Sequence, residues 1–277
     1  MTATIRVGIG GWVYEPWRET FYPPGLPAAQ ALPYASARLD TIEVNGTFYR
    51  LQRPSTFAAW RDETPEGFVF ALKAPRFATY RRALAEAGEA IERFVASGIA
   101  ELGAKLGPVL WQFAPSKRFD AAEIEAFVRL LPREAGGRPL RHALEPRHDS
   151  FRSPEYVELA RRLGVATVFT DSDLHPSFAD PTGDFVYARL MRTQSDEPLG
   201  LSPRVFPALA ACARDWRDGG EPEGLPRVLP PLPPGPPRDV FLFFIAGAKE
   251  RAPAAAMTLR RVLAEAEGEQ PPSPQLA

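Results

Sequence analysis

The chain has 277 residues, 45% of them hydrophobic, and a formal net charge of −1, which suits one α/β barrel with a sizeable core and gives no global field toward nucleic acid or membrane. Its one cysteine, Cys212, excludes an internal disulfide framework and a cysteine-based zinc site, and no apolar run reaches membrane-spanning length. The start, Met1 to Arg6, lacks the basic-then-apolar order of a signal peptide, so the expected compartment is the cytoplasm.

Eight short apolar or β-branched runs predict strands over 5–10, 41–45, 68–73, 109–113, 142–146, 166–171, 185–190 and 239–244. Between them, apolar spacing at Leu84, Ile91, Val95, Ile99 and Leu102 predicts a helix over 83–103. Asp120 followed by Glu123 is a capping-box-like start for 121–131. Ser153-Pro154 places a cap and a first-turn proline before 154–163, and Ser202-Pro203 does the same before 203–217. The gap between the sixth and seventh strands is too short for a full helix and reads as a loop. Residues 221–237 carry eight prolines and predict a stiff extended insertion before the last strand, a solvated connector in preference to a ligand for proline-binding modules. The tail 268–277 reads as disordered. Strand-then-helix alternation predicts parallel strands with right-handed crossovers, and eight such units favour a closed, somewhat irregular (β/α)8 TIM-type barrel over 1–267.

An ordered set of segments resembles the YecE-like family, also called domain of unknown function 72. The set comprises Gly11-Trp12-Val13-Tyr14-Glu15-Pro16-Trp17-Arg18, Phe21-Tyr22-Pro23-Pro24-Gly25-Leu26, Glu43-Val44-Asn45-Gly46-Thr47-Phe48-Tyr49 and Thr64-Pro65-Glu66-Gly67-Phe68 with Phe70 and Lys73. It continues with Leu106-Gly107-Pro108-Val109-Leu110-Trp111-Gln112 and with Glu145, Arg147 and His148. The resemblance runs from about Arg6 to about Leu263. It implies a barrel related to the sugar isomerase and endonuclease IV group, and no established activity. The sequence departs from the family pattern at three strand ends: Ile9-Gly10 stand where Thr-Ser is usual, Met191-Arg192 where His-Gly is usual, and Ile245-Ala246-Gly247 where two asparagines and an acid are usual.

Functional groups of such barrels lie at the C-terminal strand ends and the loops beyond. Side chains two apart share a strand face. Ile42 and Val44 suit the helix layer, which sends Glu43 and Asn45 inward. Val69, Ala71 and Lys73 share a face, as do Ala143, Glu145 and Arg147, and Phe185, Tyr187 and Arg189. Gln112 ends the fourth strand and Asp171 the sixth. The expected ring is therefore Glu43, Asn45, Lys73, Gln112, Glu145, Arg147, Asp171 and Arg189. Either Glu43, Lys73, Glu145 and Arg147 neutralise one another as a structural network, or the same charges line a ligand pocket.

Glu43, Lys73 and Glu145 are the candidate catalytic residues. Unlike surroundings can separate two carboxylates into acid and base, and Arg147 makes Glu145 the expected base. Lys73 is a candidate Schiff-base amine. Of 33 basic residues only Lys73, Lys105, Lys117 and Lys249 are lysines, and arginine cannot replace an amine that must lose its proton. A salt bridge from Lys73 to Glu43 or Glu145 is the plainer alternative. Trp12, Tyr14, Asn45, Tyr49, Gln112, Arg147, His148, Asp171 and Arg189 are candidate ligand contacts, whereas Trp17 and Phe21 read as packing. Arg147, Arg189 and Arg192 suit a phosphate or carboxylate. Glu43, Glu145, His148 and Asp171 make a thin metal set, so no metal is expected. The adjacent His148, Asp149 and Ser150 cannot adopt triad geometry. The sequence identifies no cofactor. The expected partner is a small polar or anionic, perhaps sugar-like, molecule, with an enzyme as the leading reading and a non-catalytic binding barrel or a metal-dependent nucleic-acid enzyme as alternatives. Near-zero charge disfavours nucleic acid.

Overall fold

The computed structural model describes residues 3–268. The eight barrel strands are β1 (Ile5–Gly10), β2 (Thr41–Val44), β3 (Val69–Lys73), β4 (Leu106–Gln112), β5 (His142–Glu145), β6 (Ala166–Thr167 and Phe169–Thr170), β7 (Phe185–Leu190) and β8 (Asp239–Phe244). All pair in parallel, and β1 lies between β2 and β8. The predicted sixth strand is broken at Val168. Ala166–Thr167 pairs with β5 and Phe169–Thr170 with β7, so the two ends of the sheet meet in one segment and the barrel closes there. A two-residue hairpin, Glu134–Ala135 with Arg138–Pro139, lies ahead of β5.

The side-chain alternation read from the sequence divides the core in two. Val69, Ala71, Leu110, Ala143, Phe185, Tyr187, Phe241 and Phe243 belong to a cluster inside the barrel. Small Ala71 and Ala143 leave room for the aromatic rings of β7 and β8, and Tyr187 packs 4.9 Å from Phe243. The opposite faces, among them Ile42, Val44, Phe70, Leu72 and Leu144, pack outward with the helix layer. Where β1 meets β2, Gly8 is required sterically: a Cβ there would lie 1.9 Å from the Thr41 carbonyl oxygen.

Four elements differ from expectation. Strand β4 starts at Leu106, ahead of the expected 109, because a register shift between Phe70 and Leu72 accommodates Pro108, which has no N–H to donate. The helix expected over 83–103 is divided into Leu84–Glu86, Gly88–Val95 and Ile99–Lys105, with Gly98 at φ 109° making the second break. The helix expected from 203 begins at Phe206 with no side-chain cap, because Ser202 accepts the Val205 N–H through its carbonyl in a preceding turn. In the expected loop between β6 and β7 there is no helix, and residues 221–237 hold neither helix nor strand. That Pro-rich segment is anchored where the Asp180 carboxylate accepts the N–H groups of Val228 and Leu229. The tail expected to be disordered lies, apart from Gly268, outside the described residues.

Two caps read from the sequence are present. The Asp120 side chain accepts from Glu123 N–H, and Ser153 Oγ accepts from Tyr156 N–H at the start of helix Pro154–Leu163. Replacing Ser153 with alanine is expected to cost about 1 kcal/mol, measured by urea unfolding. A loss below a few tenths would show that the cap contributes nothing.

Among the described residues no helix is long and apolar enough to cross a membrane.

Candidate functional site

The inward alternation delivers Glu43 from β2, Lys73 from β3, Gln112 from β4, Glu145 from β5 and Arg189 from β7 to one level of the barrel, just beyond the apolar plug. All five are buried. The Arg189 guanidinium stands at the centre. Its Nε and Nη2 donate to Glu43 Oε2 and Oε1 at 3.1 and 3.0 Å, and its Nη1 donates to Glu145 Oε1 at 2.8 Å. One planar fork therefore serves two carboxylates from opposite sides of the barrel.

Further donors surround both carboxylates, so that each accepts three hydrogen bonds. Tyr187 Oη donates to Glu43 Oε2 at 2.7 Å. Arg147 Nη2 donates to Glu145 Oε1 at 2.6 Å, and Gln112 Nε2 donates to Glu145 Oε2 at 2.7 Å. Burial alone raises the Glu145 pKa, but Arg189, Arg147 and Lys73 outweigh it and hold the carboxyl at about 2. Glu145 thus stays anionic at neutral pH and is a weak base. Burial opposes charge on Arg189, and the two carboxylates reverse this, keeping its pKa above the ordinary guanidinium value. For Tyr187, burial and then the Glu43 charge push the phenol well up, so it remains a donor.

Lys73 differs from its neighbours. Its side chain is buried at 7% exposure and its Nζ lies 4.1 Å from the centre of the Phe48 ring. Among the described residues it has no ion pair within 4.0 Å and no hydrogen-bond acceptor for Nζ. The expected alternative of a salt bridge to Glu43 or Glu145 is therefore not formed, because Arg189 already occupies both. Burial first, then Arg189, lowers the Lys73 pKa, Glu43 and Glu145 offset this in part, and the result is about 8.

The other sequence candidates are placed as follows. Asn45 is half-buried, and its Nδ2 donates to the Glu43 carbonyl at 3.4 Å. Gly10 leaves room for it, since a Cβ there would approach Asn45 Nδ2 at 3.1 Å and Ile245 Cδ1 at 3.0 Å. Gly10 and Ile245 thus leave the β1 and β8 side of the mouth without polar side chains, and the polar groups come from β2 through β5 and β7. Trp12 packs edge-on against Trp60 at 5.1 Å and near Phe70, and its carbonyl accepts from Tyr22 Oη. Tyr14 packs edge-on against Trp17, with Lys249 Nζ 4.5 Å from its ring centre. Both also line a cavity of about 210 Å³ beyond β1, formed with Val13 and the 22–28 segment. Tyr49 is 69% exposed and touches Phe48 edge-on. Asp171 accepts from Met191 N–H at the end of β7, and burial raises its pKa. His148 Nδ1 accepts from Ser150 N–H, capping a short 3-10 turn. Ser150 Oγ lies 2.9 Å from that nitrogen and also accepts from Phe119 N–H, a local bracing arrangement.

The set weighed for a metal is not gathered, because Arg189 fills the space between Glu43 and Glu145 while His148 and Asp171 are bonded elsewhere. Among the described residues no group of three His, Cys, Asp or Glu could hold a metal ion.

Beside the cluster is a polar cavity of about 640 Å³ whose lining includes Arg147, His148, Arg152, Ser172, His175 and Arg192. Arg152 Nη2 donates to the Ser177 carbonyl and Arg192 pairs with Asp173. Arg147 Nε is buried without a hydrogen-bond partner. Burial, then the Arg147 charge, lower the His175 pKa. The sequence reading missed His175, Tyr187 and Phe48. Tyr187 was the legible one, since a tyrosine on an inward strand face needs a partner for its hydroxyl.

The fold and site together define a (β/α)8-type barrel whose C-terminal mouth holds a buried arginine between two carboxylates, with a lysine amine alongside. Residues 6–277 match the family described as "Protein of unknown function DUF72", and the chain belongs to that family. It is 31% identical over 160 residues to UPF0759 protein YunF of Bacillus subtilis strain 168, and 26% identical over 176 residues to UPF0759 protein YecE of Escherichia coli strain K12. These segments are 56% and 61% of this chain, and 54% and 59% of the relatives, so the chain spans little more than half the length of the curated relatives it matches. The crystal structure of a DUF72 family protein from Thermotoga maritima superposes with a TM-score of 0.70, covering 96% of this chain and 100% of that one at 21% identity. At that identity the likeness shows the fold alone.

Proposed function

We propose that the barrel mouth is the site of an enzyme acting on a small anionic or strongly polar metabolite, sugar-like in size and polarity. One observation carries this reading: the charge left over once the buried groups have paired. Glu43 and Glu145 are consumed by Arg189. Arg147 shares Glu145 and keeps a buried Nε unsatisfied, and Lys73 makes no ion pair within 4.0 Å among the described residues. Three cations thus face two anions, and an anionic ligand would neutralise the excess positive charge. The adjoining polar cavity gives such a ligand room. Glu43 and Glu145 act in this reading by holding Arg189 and Arg147 in place, and Lys73 supplies the reactive group.

Calorimetric titration with inorganic phosphate, glyoxylate and glycolaldehyde phosphate against matched chloride tests it. Wild type is expected to bind at least one anion. Arg147→Met is expected to weaken that binding about tenfold or more, the scale of a lost charge-assisted hydrogen bond. Glu145 keeps Arg189 and Gln112 in this variant, so the barrel stays folded. No anion binding above the chloride control, or equal binding by the variant, would sink the reading. A non-catalytic binding barrel is the second reading, favoured by the engagement of both carboxylates with Arg189. A bound metabolite recovered chemically unchanged after prolonged incubation would select it.

A further inference from the structure

The four lysines of this arginine-rich chain have unequal surroundings. Lys105 Nζ donates to the carbonyls of Arg61 and Thr64 and to Thr64 Oγ1, three acceptors for three protons. Lys117 Nζ donates to the Arg82 carbonyl and Glu123. Lys249 lies over the rings of Tyr14 and Trp17 and is half-buried. Lys73 alone combines deep burial with the lack of any acceptor for Nζ among the described residues, and it does so at the strand end facing the site.

A positive charge with no specific acceptor to reach could be carried by arginine, which this chain uses at almost every other basic position. Lys105 and Lys117 use the compact ammonium to reach their acceptors, whereas Lys73 has no such acceptor to account for it. From this geometry we infer that Lys73 is a covalent site, whose ε-amine condenses with the carbonyl of an aldehyde or ketone to form an imine. The inference rests on the anionic-metabolite reading and narrows its substrate class to carbonyl compounds that also carry a phosphate or carboxylate.

The step balances without a further reactant. The ammonium gives up a proton and the free amine adds to the carbonyl carbon, forming a carbinolamine. Nitrogen then expels the oxygen, which leaves as water after taking up two protons, and a protonated imine remains. The net change is ammonium plus carbonyl giving iminium plus water. The groups facing the amine act in both directions, with a net effect toward the free base. Phe48, beyond β2, desolvates the amine. Arg189 on β7 and Arg147 beyond β5 oppose its positive charge, while Glu43 on β2 and Glu145 on β5 partly restore it. The balance lowers the pKa to about 8 and leaves neutral amine available near physiological pH. Arg147, which bonds Glu145 and lines the adjoining cavity, is the group this inference assigns to the anionic end.

The test is borohydride reduction of the full-length protein with glycolaldehyde, glyoxylate and glycolaldehyde phosphate, followed by peptide mapping. The expected result is an adduct at Lys73 at least tenfold over Lys105, Lys117 and Lys249, lost in Lys73→Arg and levelled across the four lysines in urea. Trapping at Lys73 should level off above about pH 8, while exposed lysines continue to rise. Folded wild type showing no adduct at Lys73 with any probe, or no more than at Lys249, overturns the inference without reference to any variant. The two levels of the argument separate through Arg147→Met. If Lys73 is trapped by uncharged glycolaldehyde, but Arg147→Met leaves trapping by both anionic probes unchanged, the covalent site stands and the anion-binding reading falls.

Discussion

Replacing Arg189 with methionine is expected to destabilise the barrel by about 3–5 kcal/mol, the scale seen when one member of a buried ion pair is removed and its partner is left behind. Here two carboxylates are stranded, because Glu43 and Glu145 are both fully buried and both depend on this guanidinium. Tyr187, Gln112 and Arg147 remain as donors, so the loss falls short of two isolated buried charges. The deficit should depend on pH. A carboxylate stranded in the interior has a folded pKa above its unfolded one, so the folded state binds more protons and stability recovers as pH falls. Urea unfolding of wild type and variant at pH 7.5 and pH 5 measures this. A deficit below 1 kcal/mol at pH 7.5, or one that grows on acidification, would mean that Arg189 does not hold the cluster together.

Acid has the opposite effect on the wild-type protein. Glu145 titrates at about 2 when folded, against an ordinary value of 4.5, because Arg189, Arg147 and Lys73 outweigh the burial that would raise it. Between those values the unfolded chain binds more protons, so this group's stabilisation is complete above about pH 4.5 and is lost progressively as pH falls toward 2. Glu145→Gln keeps the shape of the side chain and removes the titration. The stability gap between wild type and this variant should therefore hold steady from pH 6 to about pH 4.5, and in urea unfolding it should narrow steadily from about pH 4.5 to pH 3. A gap of constant size over that range would show that the carboxylate is not held in its charged form by the cluster.

Both results concern a cluster that was only partly readable in advance. Inward faces followed from period-two alternation, and Val69, Ala71, Ala143, Phe185 and Tyr187 do line the barrel interior. Glu43, Lys73, Gln112, Glu145 and Arg189 are gathered at one level because each stands near the C-terminal end of its strand. Asp171 was counted in the same ring, yet it binds the backbone of Met191. The break of β6 at Val168 was invisible, since β-branched and aromatic residues run straight through it. His175 had no signal beyond being one of three histidines, because its approach to Arg147 depends on the path of a loop.

The linear order of residues determined the parallel strands, the faces they turn inward and the family to which the chain belongs, because alternation, capping and motif spacing are local properties. It also placed Glu43, Lys73, Glu145 and Arg189 on inward faces, whereas buried Asp180 carried no such signal. Which charge would pair with which was decided only by the closed barrel. Arg189 reaches Glu43 and Glu145 from positions more than forty residues distant from either, and its fork can satisfy both. Once it does so, Lys73 has no carboxylate left to bind. Long-range electrostatics in a low-dielectric interior depend on distances that sequence spacing does not encode, and those distances turn an ordinary lysine into a candidate reactive amine.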